Sequence, residues 1–148
     1  PFIVREFGTS RMFIIYSVGG VAGYLISYLA GTPRTIGAST ALCSLIGAAL
    51  YYGKSRGGPY GQAIFRQVSG WVIGLFIIGV LGHNLINNWG HGGGILAGIL
   101  LGFSLGYQDK SRERLVHKSA AVICLVVTAA VLAWAVTTGA YLMITSGR

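Results

Sequence analysis

The sequence predicts an all-α membrane protein, a polytopic bundle with five transmembrane helices, and three observations predict it. Hydrophobic residues make up 53% of the 148 and charged ones only 9%, against about 25% charged in soluble domains. Five apolar segments, 12–30, 36–53, 68–86, 89–107 and 119–144, reach or approach the length that a bilayer demands; a hydrocarbon core of about 30 Å needs roughly 20 residues per helix. Glycine, 24 residues in all, recurs inside these segments rather than in polar linkers, which suits close helix packing in lipid. Little chain remains for a soluble domain, and 1–148 reads as one transmembrane domain.

The first segment, 12–30, is no cleavable signal peptide: no small-residue cleavage site precedes the next apolar segment, and four more follow. A tight turn over 31–35, with Pro33, leads into the second, 36–53. A loop is expected over 54–66, where Gly57, Gly58, Pro59 and Gly61 accumulate. The third segment, 68–86, closes near His83, and Asn84, Asn87 and Asn88 mark a short connection into the fourth, 89–107. The charged stretch 108–118 precedes the fifth, 119–144, whose faces are apolar nearly all round, as in an outer, lipid-facing helix. No internal repeat suggests an inverted-repeat transporter, and no polar stripe through a helix suggests a channel.

A formal charge of +8 raises nucleic acid as a partner, and the placement of the charges answers it. Counted along an alternating topology, one side receives Arg5, Arg11, Lys54, Arg56, Arg66, Lys110, Arg112, Arg114 and Lys118, and the other only Arg34 and Arg148. Nine against two is a positive-inside signal, so the charge records orientation and contact with anionic headgroups, and nucleic acid is not expected. Cys43 and Cys124 lie in apolar segments, where free cysteines behave as small hydrophobes. Tyr51, Tyr52, Trp71, Trp89 and Tyr107 read as interfacial aromatics.

The acids are Glu6, Asp109 and Glu113, all outside the apolar segments. Paired intramembrane carboxylates, an HExxH metal helix and a Ser-His-Asp triad are therefore excluded, no metal or cofactor is expected, and any hydrolytic centre has two residues. Polar groups inside membranes are the default functional candidates. His91 opens the fourth segment in Trp89-Gly90-His91-Gly92-Gly93-Gly94, and Ser39 opens the second in Gly37-Ala38-Ser39-Thr40. Both segments start on the outer side and run inward. From Ser39 to Lys54 is 15 residues and from His91 to Asp109 is 18, or about 22 and 27 Å of helix, so both side chains sit just below the extracytoplasmic surface.

Small residues continue from each. Gly94, Gly98, Gly102 and Gly106 form a ridge below His91, and Cys43 and Gly47 lie below Ser39. Packing the two ridges in parallel puts His91 beside Ser39, the geometry a base needs to take a hydroxyl proton. Gly93 points elsewhere on its helix. A helix start at Ser39 also offers the backbone N–H groups of Ser39 and Thr40 to an oxyanion. The plainer readings are that Ser39 merely caps its helix and His91 merely packs. Ser17, Ser27, Ser44 and Ser104 are expected to bond their own backbone at i−4. His83 is a second base by side but belongs to a loop, and His117 lies at the wrong depth.

Gly37-Ala38-Ser39-Thr40 followed by Gly47-Ala48, then His91-x-x-Gly94-x-x-x-Gly98, resembles the signature of the rhomboid proteases. The opening Phe7-Gly8-Thr9-Ser10-Arg11-Met12-Phe13-Ile14-Ile15-Tyr16, with Gly20 and Gly23, is similar to the stretch leading into that family's third helix. The resemblance runs nearly to Tyr107. It implies an intramembrane serine endopeptidase with Ser39 as nucleophile and His91 as general base, cleaving transmembrane proteins near the extracytoplasmic side of a bacterial plasma membrane. The third segment and 83–88 would form the gate and cap for an entering substrate helix. The alternative is a catalytically inactive rhomboid-like protein that binds membrane clients, although such proteins normally lose the Ser or the His. The chain departs from the family at Thr40, where Gly is usual, and at Cys43, where a larger residue often stands. The family's two preceding helices, one of which supplies His and Asn side chains to the oxyanion hole, have no counterpart here, so Pro1 reads as a cut and this stretch alone is expected to be inactive. The segment 119–144 would be the extra helix of the six-plus-one arrangement.

Overall fold

The computed structural model describes residues 1–32, 36–82, 86–108 and 113–146. They form six helices: α1 Phe2–Phe7, α2 Thr9–Leu29, α3 Ser39–Arg56, α4 Gly58–Leu81, α5 Asn88–Leu105 and α6 Leu115–Ser146. Each of the five apolar segments is a helix. By length and composition α2, α4 and α6 can cross a membrane. The 18-residue α3 and α5 are not among them: α3 ends in Lys54 and Arg56, and α5 opens with Asn88, His91 and a run of glycines. The expectation of five spans is therefore met by length and composition at three helices.

α3 and α5 are the inner pair, and their glycines show the register. A Cβ on Gly94 would meet the Thr40 carbonyl, one on Gly98 the Ser44 carbonyl, and one on Gly102 would lie 3.3 Å from the Cα of Ala48. Each step of four along α5 matches a step of four along α3, so the two helices run parallel in backbone contact. Gly47 returns the contact, facing the Ile95 carbonyl. α2 runs antiparallel to α3, with Gly19 against Ser44, Gly20 against Ala41 and Gly23 against Thr40. Among the described residues α6 packs on α2 alone and is almost wholly exposed, as an outer helix should be in lipid.

The loop expected over 54–66 is absent. Gly57 and Gly58 have φ of +66° and +64°, a left-handed conformation that ends α3. Pro59 then sits in the first turn of α4, where its missing N–H costs nothing. Gly61 is no turn residue either: a Cβ there would lie 2.9 Å from the Gly53 carbonyl, and one on Gly53 would lie 2.7 Å from the Phe65 nitrogen. These glycines bring α4 onto α3 at its base. α4 ends at Leu81, earlier than expected. Pro33 in the 31–35 turn, His83 and Asn84 in the 83–88 connection, and Asp109, Lys110 and Arg112 in the charged stretch lie outside the described residues.

Two of the aromatics read as interfacial are core. Tyr52 is 0% exposed and Tyr107 3%, and with Phe7, Ile15 and Ala48 they form the buried cluster at the end away from Ser39. Their ring centroids lie 4.9 Å apart, edge to face, and Phe7 sits 6.2 Å from Tyr107. Next to charged residues a Tyr reads as a membrane belt; here α1, which the hydropathy pattern gave no reason to expect, covers it. Trp71, midway along α4, and Trp89 are exposed.

The two described acids work at this same end. The Glu6 carboxylate accepts from the Tyr52 hydroxyl at 2.6 Å and the Tyr60 hydroxyl at 3.2 Å, and pairs with Arg5 at 2.8 Å. Burial alone would raise the Glu6 carboxyl, but these donors outweigh it and hold the group below its ordinary value. Glu113 accepts from the Ser10 N–H at 2.9 Å, the Ser10 hydroxyl at 3.2 Å and the Arg11 N–H at 3.3 Å. It thus caps the first turn of α2 from the far side of the sequence, where the helix dipole favours an anion.

Candidate functional site

The site is assembled where α3 and α5 begin. Gly37, at φ +113°, turns the chain into α3, and its carbonyl accepts from the Tyr24 hydroxyl of α2. Ala38 occupies the cap position, with no side-chain cap bond, and Ser39 is the first residue of the helix. The Ser39 hydroxyl is thus not spent on capping. Its Oγ lies 2.9 Å from His91 Nε2, across 52 residues of sequence.

His91 is positioned by what precedes it. The Asn87 side chain accepts from the Gly90 N–H at 2.8 Å, and the Asn87 carbonyl accepts from the His91 N–H at 3.0 Å. Ser27 Oγ of α2 lies 3.0 Å from Asn87 Oδ1 and 3.1 Å from the Thr32 carbonyl. Asn88 donates its amide to the Gly79 carbonyl at 2.8 Å, joining the end of α4 to the start of α5. The His91 ring is partly buried between these elements, and Ser39 opens to the surface.

Thr40, where the resembled family usually has Gly, is 1% exposed. Its side chain fills a notch made by the absence of side chains, with Cγ2 against Gly23 and Oγ1 where a Cβ on Gly90 would lie 3.0 Å away. Ser39 and Thr40 are in the first turn of α3, where N–H groups have no acceptor within the helix. A serine hydroxyl, an imidazole and a pair of first-turn N–H groups therefore share one end of the bundle. Cys43 is buried in the seam near Gly94, and Cys43 and Cys124 are both free thiols.

Three sequence readings change here. Gly93 does not point away from all packing: a Cβ there would lie 2.9 Å from Ile26 Cδ1 and 3.2 Å from the Gly23 Cα. An inner helix has two buried faces, and considering one partner hid the second; the open glycine of this turn is Gly92. Ser44 is fully buried and its hydroxyl lies 2.7 Å from the Ala41 carbonyl and 2.8 Å from the Ile15 carbonyl across on α2. Ser27 likewise reaches outside its own helix, whereas Ser104 bonds the Leu100 carbonyl at i−4. Gly106 ends α5 at φ +66° rather than extending the ridge. Sequence reasoning missed Asn87 as a cap, although Asn three residues before a helix-starting Gly-His pair is a recognisable N-cap pattern.

The Rhomboid domain family model matches residues 2–108. The Rhomboid protease GluP of Bacillus subtilis (strain 168) is 31% identical over 108 residues, covering 70% of this chain. That alignment takes in 20% of the relative, so the chain spans about a fifth of its length. No solved structure matches.

Proposed function

Because the chain belongs to the rhomboid family of intramembrane serine proteases, we propose that it carries the catalytic dyad of an endopeptidase that cleaves transmembrane proteins near the extracytoplasmic face. Ser39 is the nucleophile and His91 the general base. The observation that carries this reading is the 2.9 Å approach of Ser39 Oγ to His91 Nε2, within the reach that proton transfer requires. As Oγ attacks the scissile carbonyl carbon, Nε2 takes its proton, and the oxygen that becomes negative is met by the Ser39 and Thr40 N–H groups. Collapse expels the amine, which takes the proton from His91. Water, deprotonated by His91, then attacks the acyl carbon, and Ser39 Oγ leaves with the proton returned from His91.

In the same reading all five long helices span the bilayer of a bacterial plasma membrane as one domain, with the N-termini of α3 and α5 outside. The test uses the full-length protein reconstituted in liposomes with a single-span substrate, alongside labelling by a fluorophosphonate. Ser39→Ala and His91→Ala should each abolish cleavage and labelling while leaving the melting temperature within a few degrees. Substantial cleavage by Ser39→Ala would overturn the mechanism. Client binding without any cleavage by the unmodified protein would favour an inactive rhomboid-like protein.

A further inference from the structure

A second concavity lies at the opposite end of the bundle from Ser39. Between the base of α3 and the first turns of α4 is a cleft of about 640 Å³, with Lys54, Gln62, Arg66 and Ser69 on its walls. It continues into an apolar cleft of about 400 Å³ lined by Leu50, Val72, Ile73 and Ile99. The two share Lys54, Phe65, Ser69 and Ile73, so they adjoin, with basic side chains at the rim of the larger and an apolar lining in the smaller. It stays open because α4 rests on α3 at its base and barely touches α5.

The basic groups at the mouth have no acid to satisfy them among the described residues. Glu6 is engaged by Arg5, Tyr52 and Tyr60, and Glu113 by the start of α2. Lys54 instead stands over the Phe65 ring, 5.7 Å from its centroid, which holds the ammonium across the opening. Gly70 lines the mouth with nothing within 4 Å of where a Cβ would be.

We infer that this cleft binds an anionic phospholipid, its phosphate between Lys54 and Arg66 and one acyl chain along Leu50, Val72 and Ile99. The charge picks the headgroup and the continuous apolar wall picks a lipid over a soluble phosphate. Basic pockets between helices on the positive side of a membrane protein suit such headgroups. The site lies about 22 Å of helix from Ser39, so its occupant is not the peptide substrate. Its effect falls on α4, the helix it would wedge against α3.

The experiment titrates dioleoylphosphatidylglycerol, dioleoylphosphatidylcholine and glycerol 1-phosphate into the detergent-purified full-length protein and reads bound lipid by native mass spectrometry. Phosphatidylglycerol should bind at least tenfold more tightly than phosphatidylcholine, and glycerol 1-phosphate should not compete. Each basic side chain near a surface contributes about fivefold, so Lys54→Gln with Arg66→Gln should weaken phosphatidylglycerol binding about thirtyfold. Arg114→Gln with Lys118→Gln, which removes the same charge at the same end, should leave it unchanged. Gly70→Leu, which fills the mouth without changing charge, should also block binding. Equal binding of the two lipids, competition by glycerol 1-phosphate, or equal losses in the two double variants would each overturn the assignment.

Discussion

Asn87 fixes the start of α5 beside the Ser39–His91 pair that the proposed mechanism uses. Its side chain caps α5 through Gly90 N, its carbonyl receives the His91 N–H, and Ser27 on α2 lies against its Oδ1. Loss of such a cap costs about 0.5–2 kcal/mol. Asn87→Ala should lower the melting temperature modestly and the cleavage rate by a larger factor, because the first turn of α5 carries His91, the proposed base. Asn87→Asp keeps the accepting oxygen and should recover most of both. A cleavage rate in Asn87→Ala equal to that of the unmodified protein would show that the cap does not position His91. Ser39 and His91 were legible in the sequence because polar groups at such depth are rare. Asn87 was not, since three asparagines in one connection read as loop composition, and only the backbone singles out the one that caps.

At the scale of the helices, the glycine seam between α3 and α5 sets how near His91 and Ser39, the proposed base and nucleophile, come. A Cβ at Gly98 would run into the Ser44 carbonyl, and backbone, unlike a side chain, cannot swing aside. Gly98→Val should therefore part the helices, and about 1 Å of misplacement can cost on the order of a hundredfold in rate. Gly93→Ala presses on Ile26 and Gly23 and should cost stability and activity moderately, whereas Gly92→Ala meets open space and should be neutral in both. Cleavage rates and melting curves of the three variants, in full-length protein, check the order; unmodified activity in Gly98→Val would show that the seam is not what holds the dyad together. The seam on the α3 side of α5 could be read from spacing alone. The helical start of α4 could not, because Gly58, Pro59 and Gly61 are turn formers by composition, and their use as a helix opening and a contact point depends on Gly53 and Phe65 being opposite. The burial of Tyr52 and Tyr107 depends in the same way on Phe7 from a short helix with no periodic signal.

For the molecule as a whole, the ends differ in kind: Ser39 and His91 at the starts of α3 and α5, and an aromatic and charged cluster where α1, Tyr52 and Tyr107 meet. With nine of eleven basic residues assigned to the second end, a cysteine replacing Ile36, which is 98% exposed, should react with a membrane-impermeant maleimide added to intact cells. One replacing Ala63, exposed on the first turns of α4, should react only after permeabilisation. Labelling of both from the same side would sink the orientation. The seam between α3 and α5 also has a meaning in time. Ser39 leaves the ribosome 52 residues ahead of His91, and at about 5–20 residues per second that is an interval of about 3–10 s. Throughout it the Ser39 hydroxyl has no imidazole beside it, and α4 must be made before His91 can arrive. On the proposed mechanism a nascent chain arrested within α4 holds a serine that is chemically ordinary, so cleavage would be switched on by elongation itself, after most of the helices that house the pair have already been synthesised.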